Sequence, residues 1–256
     1  MSSMRLRQII SLCFVLFVLL GCQTSLMVQG TGVLRDASRK FELRHGDRSV
    51  VYIPMRHLGT RVYYDQIQRA VDSLQHSGYV VFYESIAYQV DSAAQRDLYD
   101  RKFRKLTGNR LGLQQCIEIP GDTSRVLRAP MYRKLGQRII SQPDYSFFLV
   151  NYETAVNADI PKNKLLDEFE YLYGAINLDD CDYKTPLQEP YSCKPIKAAL
   201  KNKFDKEFVM KKREENLASL VADAPQQKIL ILFGTSHFKG FLRNLQARDP
   251  KWIQIN

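Results

Sequence analysis

Apolar residues in this chain follow two rhythms, and the elements they predict alternate. Lys228 leads into five consecutive apolar residues, Ile229 to Phe233, a run that reads as a strand buried on both faces and passes straight into Gly234-Thr235-Ser236-His237. Phe41 to Arg44 and Val50 to Ile53 are shorter strand-like runs, joined as a hairpin through His45-Gly46-Asp47. From Val62 to Ser77, Tyr63, Ile67, Ala70, Val71 and Leu74 recur at helical spacing as far as Gly78, where a helix stops. Tyr79 to Tyr83 is then all β-former, and Glu84 follows. Strand, helix and strand in this span make a βαβ unit with parallel strands. His57 and Glu84 therefore fall at carboxyl ends of strands, where open α/β sheets bind ligands.

The same pattern extends to the end of the chain. Gln89 to Leu106 predicts a charged helix, Gly108 to Pro130 loop and edge structure with a short strand near Cys116 to Ile119, and Met131 to Ser141 a helix. Tyr145 to Val150 reads as a second buried strand, delivering Asn151-Tyr152-Glu153. A stripe of Leu165, Leu166, Phe169, Leu172 and Tyr173 predicts a helix over Lys164 to Ile176. Ile196 to Asp223 reads as one long helix or two, basic in its first half and ended by Pro225. A short helix from Phe238 to Gln246 and an edge strand from Trp252 to Ile255 close the domain. The predicted class is α/β, a central mixed, largely parallel sheet flanked by helices.

The N-terminal residues follow a third pattern. Arg5 and Arg7 precede an apolar run from Ile9 to Leu20, too short to span a bilayer and ordered like a secretory signal. Leu19-Leu20-Gly21-Cys22 closes it and resembles the lipobox of bacterial lipoproteins, in which the cysteine is acylated and begins the mature chain. That resemblance implies a signal over 1–21, a tether over 22–39 from a lipid on Cys22, and one domain over 40–256. It also implies a cell-envelope address, with Gln23 after the cysteine favouring the outer membrane of a Gram-negative bacterium.

Charge and cysteines fit that address. Lys and Arg number 37 against 27 Asp and Glu, a net charge of +10, but acids are interleaved throughout. A lipid-tethered exported chain rarely meets nucleic acid, so the reading is a solvated basic surface near anionic lipid or polysaccharide. Cys181 and Cys193 bracket a polar loop with Pro186 and Pro190, and a disulfide closing it is plausible in an oxidising compartment, which leaves Cys116 over. No Cys-x-x-Cys is present and no histidine lies near these cysteines, which argues against zinc there.

The candidate chemistry rests on His57 and His237, two of four histidines. Either imidazole can ligate a divalent metal or shuttle a proton, and Glu84 can be a third ligand or a base. A hydrogen-bonded structural histidine is the default for either one alone; the pair shifts the balance towards a site. There is no Gly-x-Ser-x-Gly, no phosphate-binding glycine loop and no His-Glu-x-x-His. The basic run Lys194 to Arg213 reads as a solvated helix face screened by Asp205, Glu207, Glu214 and Glu215.

Val51-Tyr-Ile-Pro-Met-Arg-His57-Leu-Gly, Tyr63-Tyr64, Phe82-Tyr-Glu84 and Phe233-Gly-Thr-Ser-His237-Phe-Lys-Gly240 together resemble the TraB/TIKI group, within the superfamily of erythromycin-esterase-like and ChaN-like proteins. That group carries two Gly-x-x-His motifs and a glutamate soon after the first, and Arg213 stands where it has an arginine. Pro54 replaces the glycine of the first motif, fixing φ and removing a donor at the approach to His57. The resemblance implies a metal-dependent hydrolase of peptidase or esterase type. His57, His237 and Glu84 would hold manganese, cobalt or zinc, Glu84 would serve as ligand or base, and Arg213 would stabilise developing charge on a peptide or small-molecule substrate. The ChaN-like branch, which binds haem, supplies an alternative, a non-catalytic ligand-binding lipoprotein. Pro54 supplies a third, an envelope scaffold with a decayed site.

Overall fold

The computed structural model describes residues 33–108, 116–118, 125–127, 139–187, 189 and 191–256. The signal over 1–21, the lipidation at Cys22, the first part of the tether and the start of the helix expected over Met131 to Ser141 lie outside the described residues.

Strands β1 (Phe41–His45) and β2 (Arg48–Met55) form the expected hairpin, with Gly46 at φ 54° supplying the left-handed turn residue. After β3 (Leu58–Thr60) comes α1 (Arg61–His76), N-capped by the Thr60 hydroxyl, which accepts from the Tyr63 amide at 3.2 Å. Then follow β4 (Val80–Tyr83), α2 (Ala93–Thr107), β5 (Cys116–Glu118), β6 (Arg125–Leu127), β7 (Ile139–Ser141) and β8 (Val156–Asn157). The remainder is α3 (Lys162–Tyr173), α4 (Asp180–Lys184), α5 (Ala198–Lys203), a π-helical stretch over Phe204–Lys212, α6 (Arg213–Asp223), β9 (Lys228–Gly234), α7 (Phe238–Arg248) and β10 (Ile253–Gln254).

The main sheet has six strands in the order β10-β1-β2-β9-β4-β8. Its β2, β9, β4 and β8 run parallel, while β1 and β10 are antiparallel at one edge. The fold is thus α/β, with a mixed, mostly parallel sheet between helices. β2 and β4 are parallel, as a βαβ unit requires, but β9 lies between them and pairs with both. The last long strand therefore sits at the centre, which is why it is apolar on both faces.

Alternation along β2 and β9 divides the core in two. Val50, Tyr52, Ile229, Ile231 and Phe233 pack with Leu217, Ala218, Val221 and Phe241 of α6 and α7 on one face. Val51, Ile53, Leu230 and Leu232 pack with Tyr63, Tyr64, Ile67 and Val71 of α1 on the other. A third cluster joins Leu106, Leu165, Leu166, Phe169, Phe204 and Phe208. Cys181 and Cys193 are joined as a disulfide. Arg101 and Arg104 hold the same loop, donating to the carbonyls of Asp182, Thr185 and Pro186.

Two expected elements differ. Tyr145 to Val150 is a series of turns, not a strand: Phe147, Phe148 and Leu149 amides donate to the carbonyls three residues back, and Leu149 has φ 57°. Its apolar block buries aromatic rings on α1, Phe148 lying 6.1 Å from Tyr64, so hydrophobicity there reports packing of a loop. Ile139 to Ser141, expected as the end of a helix, is a strand pairing with β3 in a second, four-stranded antiparallel sheet. Short β-branched runs are ambiguous between the two states, and pairing decides.

Candidate functional site

β2, β4 and β9 end on one edge, and their last residues are stitched together by side chains. The Tyr52 hydroxyl donates to the Gly234 carbonyl at 2.8 Å, and the Thr235 hydroxyl donates to the Met55 carbonyl at 2.9 Å. Glu84, directly after β4, donates its amide to Leu232 at 3.0 Å and turns its carboxylate towards β9. There Oε2 accepts from the Gly234 amide at 2.5 Å. A Cβ on residue 234 would lie 3.1 Å from that oxygen and 3.2 Å from His237 Cδ2. The glycine thus makes room for Glu84 and His237.

Arg213 opens α6 on the same side, with a side chain only 3 % exposed. Its Nε and Nη2 donate bidentately to Asp159, both at 2.7 Å, and Nη2 also donates to Glu84 Oε1. Nη1 lies 3.3 Å from His237 Nε2 and 3.5 Å from the Val209 carbonyl. The guanidinium's five N–H donors therefore face five acceptors. Asp159, fully buried at its side chain, also accepts from the Ile160 amide at 2.8 Å, and the whole network lies under the carboxyl ends of β4, β8 and β9.

His237, 4 % exposed, closes a one-turn 3-10 segment, Thr235–His237, between β9 and α7. Accepting from Arg213 at Nε2 leaves its proton on Nδ1, which has no hydrogen-bond partner and faces Glu214 Oε1 at 3.6 Å. Burial, then the charges of Arg213 and His57, pull its pKa down to about 4, against the opposing charge of Asp159, so the imidazole is neutral at pH 7. Burial pushes the Glu214 carboxyl up from its ordinary value, partly offset by Arg243 and Arg213. Glu214 also presses on Gly240, where an added Cβ would fall 1.8 Å from its Oε2.

Of the residues singled out in the sequence, Glu84, Arg213 and His237 are in one network. His57 follows β2 on the same edge but is exposed and stands outside the hydrogen bonds and ion pairs described for the network. Its loop is braced by the last part of the expected tether: Arg56 donates to the Arg35 carbonyl at 2.8 Å, and the Thr60 hydroxyl donates to Asp36 at 2.5 Å. Asp159 and Glu214 are the members that sequence reasoning missed. Asp159 is a lone acid in Ala158-Asp159-Ile160-Pro161 with no periodic signal around it, and Glu214, expected as a screening charge on a solvated face, is buried.

His57, Glu84 and His237 as placed do not fit a shared divalent ion. Both Glu84 oxygens are engaged by donors, and His237 offers its lone pair to a guanidinium, so an ion would have to displace Arg213 from both. Among the described residues, no group of three or more His, Cys, Asp or Glu is placed to hold a metal. Arg213, with every donor engaged, positions Glu84 and His237 and has none left for an oxyanion. No family model, curated protein or solved structure matches this chain significantly, so the TraB/TIKI resemblance rests on the residues quoted for it.

Proposed function

We propose that this chain is a lipid-tethered envelope hydrolase, of esterase or peptidase type, acting at the carboxyl edge of β2, β4 and β9. The observation that carries the reading is the buried network of Glu84, Asp159, Arg213 and His237 at that edge. Buried ion pairs contribute little net stability compared with apolar packing, so this concentration of charge calls for another role. Open α/β sheets bind ligands at this edge. Glu84, 12 % exposed at its side chain against 0 % for Asp159, is the acid that reaches outward. Arg213 and the Gly234 amide fix its two oxygens, which orients it towards a water or a substrate N–H. His57, exposed on the same edge of the sheet, takes a proton from the attacking water and returns it to the leaving group. His237, neutral and acceptor-only towards Arg213, holds the guanidinium in place.

One observation favours a second reading, a binding lipoprotein without catalysis: every donor of Arg213 is engaged within the network, while His57 stands in solvent. Turnover of a panel of nitrophenyl esters and fluorogenic peptides by wild type, His57→Ala and Glu84→Gln separates the two. Catalysis predicts a loss of about 10²- to 10⁴-fold for His57→Ala. Equal rates in all three proteins would dismiss the hydrolase and leave the binding reading.

A further inference from the structure

A second concave surface borders the network, where the chain enters the domain and α7 begins. Phe41 of β1 stacks on Phe238 of α7 at 3.9 Å, and with Leu242 they floor an open groove of about 720 Å³, within the size range of ligand sites. Arg39, Lys239 and Arg243 stand around it, all exposed, and no acid lines it. Arg39 and Lys239 form no ion pair among the described residues, and Arg243 comes no nearer than 3.8 Å to Glu214. Three cations around an aromatic floor match one chemistry, an anionic head carried on an apolar tail.

We propose that this groove seats an anionic phospholipid of the bilayer to which the chain is tethered. The proposal rests on the reading of residues 22–39 as a lipid tether. At no more than about 3.6 Å per residue, the stretch from Cys22 to Arg39 keeps the groove within a few nanometres of the membrane. Lys40, exposed between the lining residues Arg39 and Phe41, adds a further cation to that segment. Each cation near an anionic surface strengthens binding about fivefold, and one lipid anchor by itself gives marginal attachment, so this face would set how the domain lies on the membrane. The lipid phosphate would meet Arg39, Lys239 and Arg243, and its upper acyl chain the ring pair.

The test uses the full purified chain carrying an environment-sensitive fluorophore at Gln246→Cys, a neutral position lining the groove, in a Cys116→Ser background. It is mixed with vesicles containing brominated acyl chains, made of phosphatidylcholine alone or phosphatidylcholine with phosphatidylglycerol. Quenching several-fold stronger with phosphatidylglycerol, lost in Arg39→Glu/Lys239→Glu/Arg243→Glu and in high salt, is the expected result. A control triple reversal at Lys164, Lys194 and Lys197, exposed elsewhere, leaves quenching within twofold. Equal quenching by both vesicles, no quenching by either, or equal loss in the two triple variants would overturn the proposal. Circular dichroism confirms that each variant is folded. Mass spectrometry of Cys22 judges the tether separately: without acylation there, the same vesicles added to the unanchored chain, labelled at Gln246→Cys with Cys13, Cys22 and Cys116 all changed to Ser, still decide the groove.

Discussion

Removing Asp159 should destabilise this protein far more than removing Asp159 and Arg213 together. Arg213 is 3 % and Asp159 0 % exposed at the side chain, and two hydrogen bonds of 2.7 Å join them. Asp159→Asn leaves a buried guanidinium with Glu84 as its remaining carboxylate. Breaking one partner of a buried pair costs about 3–5 kcal/mol, and the surviving bond to Glu84 places this case near the lower end, about 3 kcal/mol. For a domain of ordinary stability that is a large fraction of the total, which runs at roughly 5–15 kcal/mol. Asp159→Leu/Arg213→Met removes both charges and fills the space, while Glu84, 12 % exposed, keeps water and the Gly234 amide. The double variant should then cost about 1 kcal/mol or less, since apolar replacement of a buried pair is often neutral. Urea unfolding of wild type, Asp159→Leu, Arg213→Met and the double gives the coupling directly, with Asp159→Asn measured beside them. A loss below about 1 kcal/mol for Asp159→Asn, the value of a surface pair, or a double variant equal to the sum of the singles, would refute the reasoning.

Other predictions follow from the same neighbourhood and from the disulfide loop. His237 titrates at about 4 in the folded chain and near its ordinary value of 6.5 when unfolded, so the unfolded state binds more protons between those values. Its contribution is fully present above pH 6.5 and is lost as pH falls towards 4, by about 3 kcal/mol. Urea midpoints across that window should fall in wild type and fall less in His237→Gln, and a histidine resonance titrating below pH 5 should vanish in the variant. Gly240→Ala drives a methyl into the Glu214 carboxyl, which has His237 behind it, and should cost about 1–3 kcal/mol by unfolding, where substitutions at exposed Ser236 should not. Cys181→Ser/Cys193→Ser opens a short loop and should lower stability by up to about 3 kcal/mol without unfolding the chain, because Arg101 and Arg104 still bind the loop's carbonyls.

Much of the architecture was legible because it is written in periodicity. The unbroken run Ile229 to Phe233 announced a strand apolar on both faces, and it is the central strand; Tyr63, Ile67 and Val71 announced the buried face of α1. Legibility failed where burial and backbone state part company. Tyr145 to Val150 is apolar because its rings pack on α1 and β4, and turn hydrogen bonds satisfy its backbone without a strand partner. Glu214 read as solvated because its neighbours in the sequence are charged, yet it sits on the inner face of α6 beside Gly240.

The candidate site divides in the same way. Residue types at strand ends picked out His57, Glu84 and His237, while Arg213 was singled out only by the resemblance to the TraB/TIKI group, the residue pattern placing it in a solvated basic run. Pairing between elements distant in sequence decided what those residues do. β9 inserts between β2 and β4, bringing Gly234 against Glu84, and β8 carries Asp159 to Arg213 across 54 positions of chain. The sequence by itself determined that His57, Glu84 and His237 follow the ends of β2, β4 and β9, because runs of strand-forming residues stop just before them. Only the tertiary structure decided that Arg213 takes the lone pair of His237 and an oxygen of Glu84. Hydrogen-bond partners are chosen by proximity in space, which local pattern does not encode.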